Sequence, residues 1–213
     1  MTDTAILVSG RSPSGTSSAA GDPHAARVPG ADDPRAIVLV EGMSDRIALE
    51  ALGARLGRDL VADRVAILPT GGVHAIGRFL TRFGPLGSNV TLAGLYDEGE
   101  EHVVRRGLEG AGLGADLSRA AMEQLGFYVC SADLEDELVR ALGPTRMEQV
   151  IDAEGELRSF RTFQKQVAKR GLDHEEQLWR FMWNRKIRYA TLLVDALDLA
   201  CVPRPLACVL AHV

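Results

Sequence analysis

Four short apolar runs lie between residues 36 and 130, and a stretch with helical spacing of apolar residues follows each of them. The runs are Ala36–Val40, Val65–Leu68, Val90–Tyr96 and Phe127–Cys130. A continuous run of Val, Ile and Leu is typical of a strand that is buried on both faces of a parallel sheet. Strands that alternate with helices through short connections indicate βαβ units. The pattern therefore predicts an α/β fold with about four parallel strands flanked by helices.

The two ends of the chain differ from this central part. Residues 1–34 are rich in Ser, Gly, Ala, Pro and Asp without periodicity, and such a composition buries too little apolar surface to offset the entropy of ordering. From Pro144 onward the spacing predicts helices and no further strand. We therefore predict a disordered leader over residues 1–34, an α/β core over 35–143, and a helical C-terminal extension over 144–213 that packs on the core.

Acidic residues follow three of the four predicted strands. Glu41 and Asp45 follow the first strand, Asp97 ends the third, and Asp133 and Glu135 follow the fourth. Right-handed crossovers place the carboxyl ends of parallel strands at one edge of the sheet, where ligands bind in α/β folds. Carboxylates brought together there would repel one another unless a divalent cation were bound. An oxygen-only ligand set suits Mg²⁺ or Mn²⁺, and such ions can assist phosphodiester hydrolysis.

Each of these acids also has a purely structural interpretation. Asp45 and Glu135 stand near the starts of helices, where a carboxylate compensates the helix dipole. The segment from Asp97 to Glu101 could be a solvated acidic loop. Acids at three strand ends on one edge favour the metal interpretation.

Composition and charge restrict the function classes. The chain has 213 residues and a net charge of −5, which argues against a protein that coats nucleic acid through a bulk positive potential. It has no apolar run of roughly 18 residues, so no membrane span is predicted. There is no basic and apolar start typical of a secretory signal. Cys130, Cys201 and Cys208 lack metal-type spacing and are predicted to be core residues of a cytoplasmic protein.

Basic residues concentrate near the C-terminus, although the chain as a whole is acidic. Residues 158–188 contain nine Lys and Arg but three Asp and Glu, which favours contact with a polyanion; solvated helix faces are the alternative. Gly71 and Gly72 could hold a phosphate through backbone N–H groups or could simply form a tight turn. Trp179 and Trp183 are four residues apart, and we expect them to pack in the core rather than to stack on bases.

Several of these motifs resemble one known domain family. The order Val40-Glu41-Gly42, Ser44-Asp45, a strand-end Asp97 and Asp133-Leu134-Glu135 resembles the topoisomerase–primase (TOPRIM) domain. The segments 68–72, 185–190 and 202–206 resemble in particular the TOPRIM half of OLD-family (overcoming lysogenisation defect) nucleases. The resemblance covers roughly residues 36–210. It implies a Rossmann-like TOPRIM fold and Mg²⁺- or Mn²⁺-dependent cleavage of nucleic acid, with DNA favoured over RNA.

The resemblance also implies roles for individual residues. Glu41, Asp45, Asp97 and Glu135 would bind two metal ions, and Glu41 and Lys186 would be the catalytic residues. Lys186 would stabilise charge that develops on the phosphate. Apart from the resemblance, the residues that we predict to contact phosphate or nucleic acid are Gly71, Gly72, Arg185, Lys186 and Arg188.

Two departures from the family pattern matter. The third-strand motif is usually Asp-x-Asp, whereas here it is Asp97-Glu98-Gly99, so one metal site is expected to be weakened unless Glu98, Glu100 or Asp133 supplies a carboxylate. The sequence contains no Gly-x-x-x-x-Gly-Lys-Ser/Thr phosphate loop, so control by ATP would require a separate ATPase subunit.

The function that we predict is phosphodiester hydrolysis of the DNA endonuclease type. One alternative is a non-catalytic subunit that binds metal and nucleic acid and serves a separate ATPase. Another is an enzyme that cleaves RNA or transfers nucleotides. The sequence pattern gives no indication of the oligomeric state.

Overall fold

A computed structural model describes residues 34–213, so the predicted leader lies outside the described residues except for Pro34. Within residues 34–213 the chain forms four strands and nine α-helices. The strands are β1 (Ala36–Val40), β2 (Val65–Pro69), β3 (Thr91–Asp97) and β4 (Phe127–Cys130). The helices are α1 (Met43–Arg55), α2 (Ile76–Phe83), α3 (Glu101–Gly110), α4 (Arg119–Gln124), α5 (Leu134–Ala153), α6 (Leu157–Gln164), α7 (His174–Met182), α8 (Lys186–Ala196) and α9 (Arg204–His212).

The four strands form one parallel sheet in the order β2-β1-β3-β4. Ala36 of β1 lies opposite Val65 of β2 and Thr91 of β3. Because all strands point the same way, Val40, Asp97 and Cys130 end their strands at the same edge. The predicted fold class, a parallel α/β sheet with a helical C-terminal region, is confirmed.

Strand β1 separates two hydrophobic cores. Ala36, Val38 and Val40 face a core built with α1, α5 and the helices α7 to α9, whereas Ile37 and Leu39 face a core built with α2 and α3. All five side chains are at most 1% exposed. This explains why the run is apolar without alternation, since both faces of the strand are covered.

The C-terminal helices share the first core with the sheet. At the end of α1, the Arg55 guanidinium donates to the carbonyl of Leu197 just beyond α8, at 2.9 Å. At the other end, Met43 of α1 lines the same groove as Lys186 and Ile187 of α8. Helices α1 and α8 therefore run side by side in the same direction, and the start of α8 lies at the carboxyl edge of the sheet.

Helix α5 contains a kink where the sequence predicts a break between two helices. Gly143 has a φ of 70°, which an L side chain rarely adopts, and Pro144 follows it. Proline disfavours helical backbone in the residue before it and removes a backbone donor, so the helix changes direction there.

The cysteines are less uniform than predicted. Cys130 is buried at the end of β4, but Cys201 is exposed in the turn before α9 and Cys208 is half-buried. The prediction that all three are core residues is therefore wrong for Cys201, because the turn that carries it lies at the surface. In the part of the chain from residue 34 onward, the helices are too short or too polar to cross a membrane.

Gly94 in the centre of β3 offers a test of sheet packing. A Cβ atom at this position would lie 2.9 Å from the Leu39 carbonyl oxygen and 2.9 Å from the Phe127 ring. We expect Gly94→Ala to lower the free energy of unfolding by about 1–3 kcal/mol through overpacking. The matched control is Gly77→Ala in α2, where a Cβ meets no atom within 4 Å and alanine favours the helix. Urea titrations of both variants measure this, and equal stabilities would contradict the packing described here.

Candidate metal centre

Three carboxylates lie together at the carboxyl edge of the sheet. Glu41 follows β1, Asp97 ends β3, and Glu100 ends the 3-10 turn Glu98–Glu100. One oxygen from each carboxylate lies within 4.8 Å of one from each of the others. We call this group the Glu41 cluster. Two of the four predicted metal ligands, Glu41 and Asp97, are members of it.

The third member of the cluster, Glu100, lies one residue after Gly99. The 3-10 turn after β3 brings Glu100 back towards Asp97. Glu98, the other nearby acid, instead accepts a hydrogen bond from Arg119 at 2.9 Å. Glu98 and Glu100 are the two neighbouring acids that could replace the second aspartate of the Asp-x-Asp motif. Glu100 lies at the cluster, whereas Glu98 lies in an ion pair.

The electrostatics of the Glu41 cluster are those of acids that repel one another. Burial, followed by the charges of Glu41 and Glu100, raises the pKa of Asp97 to about 7. Burial and then the charge of Glu41 also raise the pKa of Glu100, against an opposing effect of His74. A divalent cation would favour the ionised form of each carboxylate. The oxygen-only donor set therefore fits a hard ion such as Mg²⁺ or Mn²⁺.

A second group of acids next to the cluster is held by Lys186. The Lys186 ammonium lies 2.8 Å from Asp133 Oδ2 and 2.8 Å from Glu135 Oε2. Asp133 also caps α5 by accepting from the Asp136 N–H at 2.7 Å. Glu135 is 3% exposed, and its other oxygen, Oε1, is buried without a hydrogen-bond partner among the described residues. A bare acceptor of this kind is costly to bury and marks a place where a cation could be bound.

Lys186 is a stable cation in this arrangement. Burial acts to lower its pKa, but the hydrogen bonds to Asp133 and Glu135 outweigh that effect and raise the pKa above the usual range of lysine. The ammonium therefore keeps its proton at neutral pH. It can stabilise negative charge.

Asp45 lies between the two acidic groups and also caps a helix. Its Oδ2 accepts a hydrogen bond from the Gly42 N–H at 2.9 Å at the start of α1. Burial, then the charge of Glu135, raises its pKa to about 6, although the Gly42 hydrogen bond and Lys186 oppose this rise. Asp45 therefore has the structural role considered for it, at the start of a helix. Its carboxylate is also close enough to Glu135 to be affected by the charge of that residue.

The glycine turn after β2 supports Glu41 through the backbone. The Gly71 N–H donates to the Glu41 carbonyl at 3.1 Å, so this donor is already in use. Gly71 and Gly72 have φ angles of 76° and 114°, which favour glycine. The tight-turn interpretation therefore accounts for both residues.

The two arginines beside Lys186 are in ion pairs. Arg185 donates to Glu156 at 3.0 Å, and Arg188 contacts both Glu154 and Glu156. The acids in the turn between α5 and α6 therefore offset part of the positive charge that the sequence concentrates in this region.

Sequence reasoning missed one residue that orients the site. The indole N–H of Trp179 donates to Asp133 Oδ1 at 3.0 Å and so helps to fix the carboxylate that Lys186 contacts. The two residues are 46 positions apart, and neither periodicity nor a motif pairs them. The tertiary packing of α7 against α5 creates the contact.

Comparisons with known proteins agree with this fold. Residues 35–94 match the family model "Overcoming lysogenization defect protein-like, TOPRIM domain". The C-terminal region of the Xanthomonas campestris pv. campestris OLD protein is similar in structure, with a TM-score of 0.65, 23% identity, and coverage of 85% of this chain and 95% of that chain. The C-terminal region of the Burkholderia pseudomallei OLD protein has a TM-score of 0.64, 21% identity, and coverage of 84% and 96%. No curated protein matches the sequence.

Metal titration can test the choice between Glu100 and Glu98. We expect Glu100→Gln to weaken Mn²⁺ binding by roughly tenfold or more, because it removes a carboxylate from the Glu41 cluster. Glu98→Gln is the matched control, since Glu98 is paired with Arg119. Isothermal titration calorimetry with Mn²⁺ measures both. Equal losses in the two variants would contradict the assignment of Glu100.

The raised pKa of Asp97 predicts a dependence of stability on pH. The folded protein holds a proton on Asp97 up to a pKa of about 7, whereas the unfolded chain releases it near pH 4. The free energy of unfolding therefore falls as pH rises between these values. We expect Asp97→Asn to remove this loss and to raise the stability of the metal-free protein at pH 8 by about 1–2 kcal/mol, after allowance for partial exposure.

Thermal melts with EDTA at pH 5 and pH 8 measure this effect. Asp152→Asn, an exposed position on α5, serves as control. The gain from Asp97→Asn should be larger at pH 8 than at pH 5, and a gain of the same size at both pH values would contradict the prediction.

Proposed function

We propose that this chain hydrolyses phosphodiester bonds in DNA with bound Mg²⁺ or Mn²⁺, since it is similar to the OLD TOPRIM domain in sequence over residues 35–94 and to OLD C-terminal regions in fold over most of its length. The observation that carries this proposal is the Glu41 cluster, with Lys186 at the neighbouring acids. Carboxylates and one fixed cation at a single sheet edge match the needs of a reaction on a phosphate.

The residues of the site have separate tasks in this proposal. Glu41, Asp97 and Glu100 would hold one ion, and Asp45 and Glu135 would contribute to a second. A bound ion of this kind supplies an activated water and neutralises charge on the phosphate oxygens. The Lys186 ammonium would donate a hydrogen bond to a phosphate oxygen and so stabilise the charge that develops there.

The second ion site is the weaker one in this proposal. Glu135 shares Oε2 with Lys186, and Asp133 is engaged by three donors, namely Lys186, Trp179 and the backbone of Asp136. A second cation would have to compete with the Lys186 ammonium for Glu135. We therefore propose one tight ion at the Glu41 cluster and a second that binds together with the phosphate.

Cleavage of supercoiled plasmid tests the proposed function. Incubation of the chain with Mg²⁺ or Mn²⁺ should produce nicked and then linear DNA, and EDTA should prevent it. Glu41→Gln and Lys186→Met should each lower the rate by about 10²–10³-fold, the size expected for loss of a group that stabilises the transition state. Glu175→Gln, an exposed glutamate on α7, is the matched control and should cleave as wild type does.

Parallel substrates separate this proposal from its rivals. RNA and nucleoside triphosphates are tested beside the plasmid with the same variants. Cleavage of RNA alone, or nucleotide transfer, would replace the DNA substrate. Mn²⁺ binding without turnover of any substrate would favour a non-catalytic subunit that serves a separate ATPase. Plasmid cleavage that survives in Glu41→Gln would overturn the role of the Glu41 cluster.

A further inference from the structure

An exposed apolar surface adjoins Lys186 at the same sheet edge. Trp183 is 51% exposed, Ile187 is 62% exposed, and Met43 at the start of α1 is 47% exposed. These three side chains line one groove together with Ser44 and Asn184, with Arg185, Lys186 and Arg188 at its border, and it encloses about 570 Å³. We call it the Trp183 groove. The expectation that Trp183 packs in the core is wrong, because the residue lies in the turn between α7 and α8, beyond the buried face of α7.

The Trp183 ring is held in place although half of it is exposed. It meets the Trp179 ring edge to face, with centroids 5.0 Å apart, and the Lys186 ammonium lies 4.5 Å from its centroid. Trp179 and Lys186 are the two side chains that donate hydrogen bonds to Asp133. The exposed indole is therefore fixed relative to the proposed catalytic lysine, so that a group resting on Trp183 would lie beside the group that Lys186 contacts.

We propose that Trp183 stacks against an unpaired nucleobase next to the phosphate that is cleaved. This inference rests on the proposed function and specifies its substrate as DNA with single-stranded nucleotides at the site. The faces of a nucleobase are apolar and aromatic, which matches Trp183, Ile187 and Met43. Its edges carry hydrogen-bonding groups that the exposed Asn184 can meet.

The charges around the groove also match a nucleotide. The phosphates on either side of a base are anionic, and the groove is lined by Lys186 and by Arg188, which pairs with Glu154 and Glu156 but is half-exposed and can still meet a phosphate. A protein segment with an apolar face would fill the same groove but would not use these cations. Charge and aromaticity together favour a nucleotide.

The stacking has a consequence for substrate choice. A base inside a duplex is stacked on both sides, so its face can meet Trp183 only after it leaves the helix. Stacking of a base on an aromatic side chain contributes about 1–3 kcal/mol, or roughly five- to 150-fold in affinity. We therefore expect single-stranded or gapped DNA to bind more tightly than an intact linear duplex of the same length.

Binding of labelled oligonucleotides tests the proposal with the full chain. A single-stranded 12-mer, a gapped duplex and an intact duplex are titrated in Ca²⁺, a hard ion that accepts the same oxygen ligands, and gels verify that the DNA stays intact. Trp183→Ala should weaken binding of the single strand at least fivefold, and Trp183→Phe should restore most of it. Leu86→Ala is the matched control, because Leu86 is 66% exposed in the loop before β3, at the opposite edge of the sheet.

An abasic scan makes the test specific to stacking. One base at a time is removed from the 12-mer, leaving the phosphates in place. Removal of the base at one position of the 12-mer should lower the affinity of wild type. Removal of the same base should not lower the affinity of Trp183→Ala any further. Equal affinity of wild type and Trp183→Ala for the single strand would overturn the proposal and leave the groove as a protein contact. Failure of wild type to bind single-stranded DNA would overturn it as well.

The failure of this inference and the failure of the proposed function are distinguishable. If wild type and Trp183→Ala cleave plasmid and bind single strands equally, the hydrolase stands and the stacking fails. If single strands bind through Trp183 but no metal supports cleavage, the stacking stands and the hydrolase fails. Mn²⁺ titration of Trp183→Ala should give the wild-type affinity, because the ring is not a ligand, and a loss there would show that the variant disturbs the site itself.

Discussion

Repulsion between carboxylates at the carboxyl edge of the sheet is the constraint on which the site depends. Parallel strands in the order β2-β1-β3-β4 bring Glu41 and Asp97 to adjacent strand ends, and burial then raises the pKa of Asp97 to about 7. The fold relieves the same repulsion at β4 with Lys186, which contacts Asp133 and Glu135. One half of the edge thus carries its own cation, and the other half has acids that a divalent ion would stabilise. This asymmetry arises because Lys186 at the start of α8 contacts Asp133 and Glu135, the acids that follow β4.

Much of the fold follows from the apolar pattern, and the departures have local causes. β1 and β4 have the predicted bounds, because both are short apolar runs that end abruptly at polar residues. Among the helices that the spacing predicts from Pro144 onward, one spans residues 160–170, whereas the structure has α6 over Leu157–Gln164 followed by a 3-10 turn. Polar and charged residues make up most of that segment, so the few apolar positions say little about where the helix ends.

The candidate site could be predicted in part. The positions of Glu41 and Asp97 follow from the topology of a parallel sheet, in which every strand end lies at one edge. The role of Glu100 depends on the 3-10 turn at Gly99, and side-chain reach around a tight turn cannot be deduced from spacing. The exposure of Trp183 depends on where α7 ends. The spacing of four residues from Trp179 predicts that both side chains lie on one helix face, but it does not predict whether that face is buried. Tertiary packing decides such questions.

In the proposed function, the position of Lys186 at the first residue of α8 would link the binding of metal and of phosphate. The positive end of the helix dipole disfavours a cation there, and Asp133 and Glu135 compensate for it. An ion that drew Glu135 away would leave the ammonium facing a positive helix end with fewer anionic neighbours. A phosphate would then be the anion best placed to replace the carboxylate. By thermodynamic linkage, each of the two ligands would increase the affinity for the other. Metal and phosphate would thus bind cooperatively at the carboxyl edge of the sheet, because the phosphate would replace Glu135 as an anionic partner of the Lys186 ammonium.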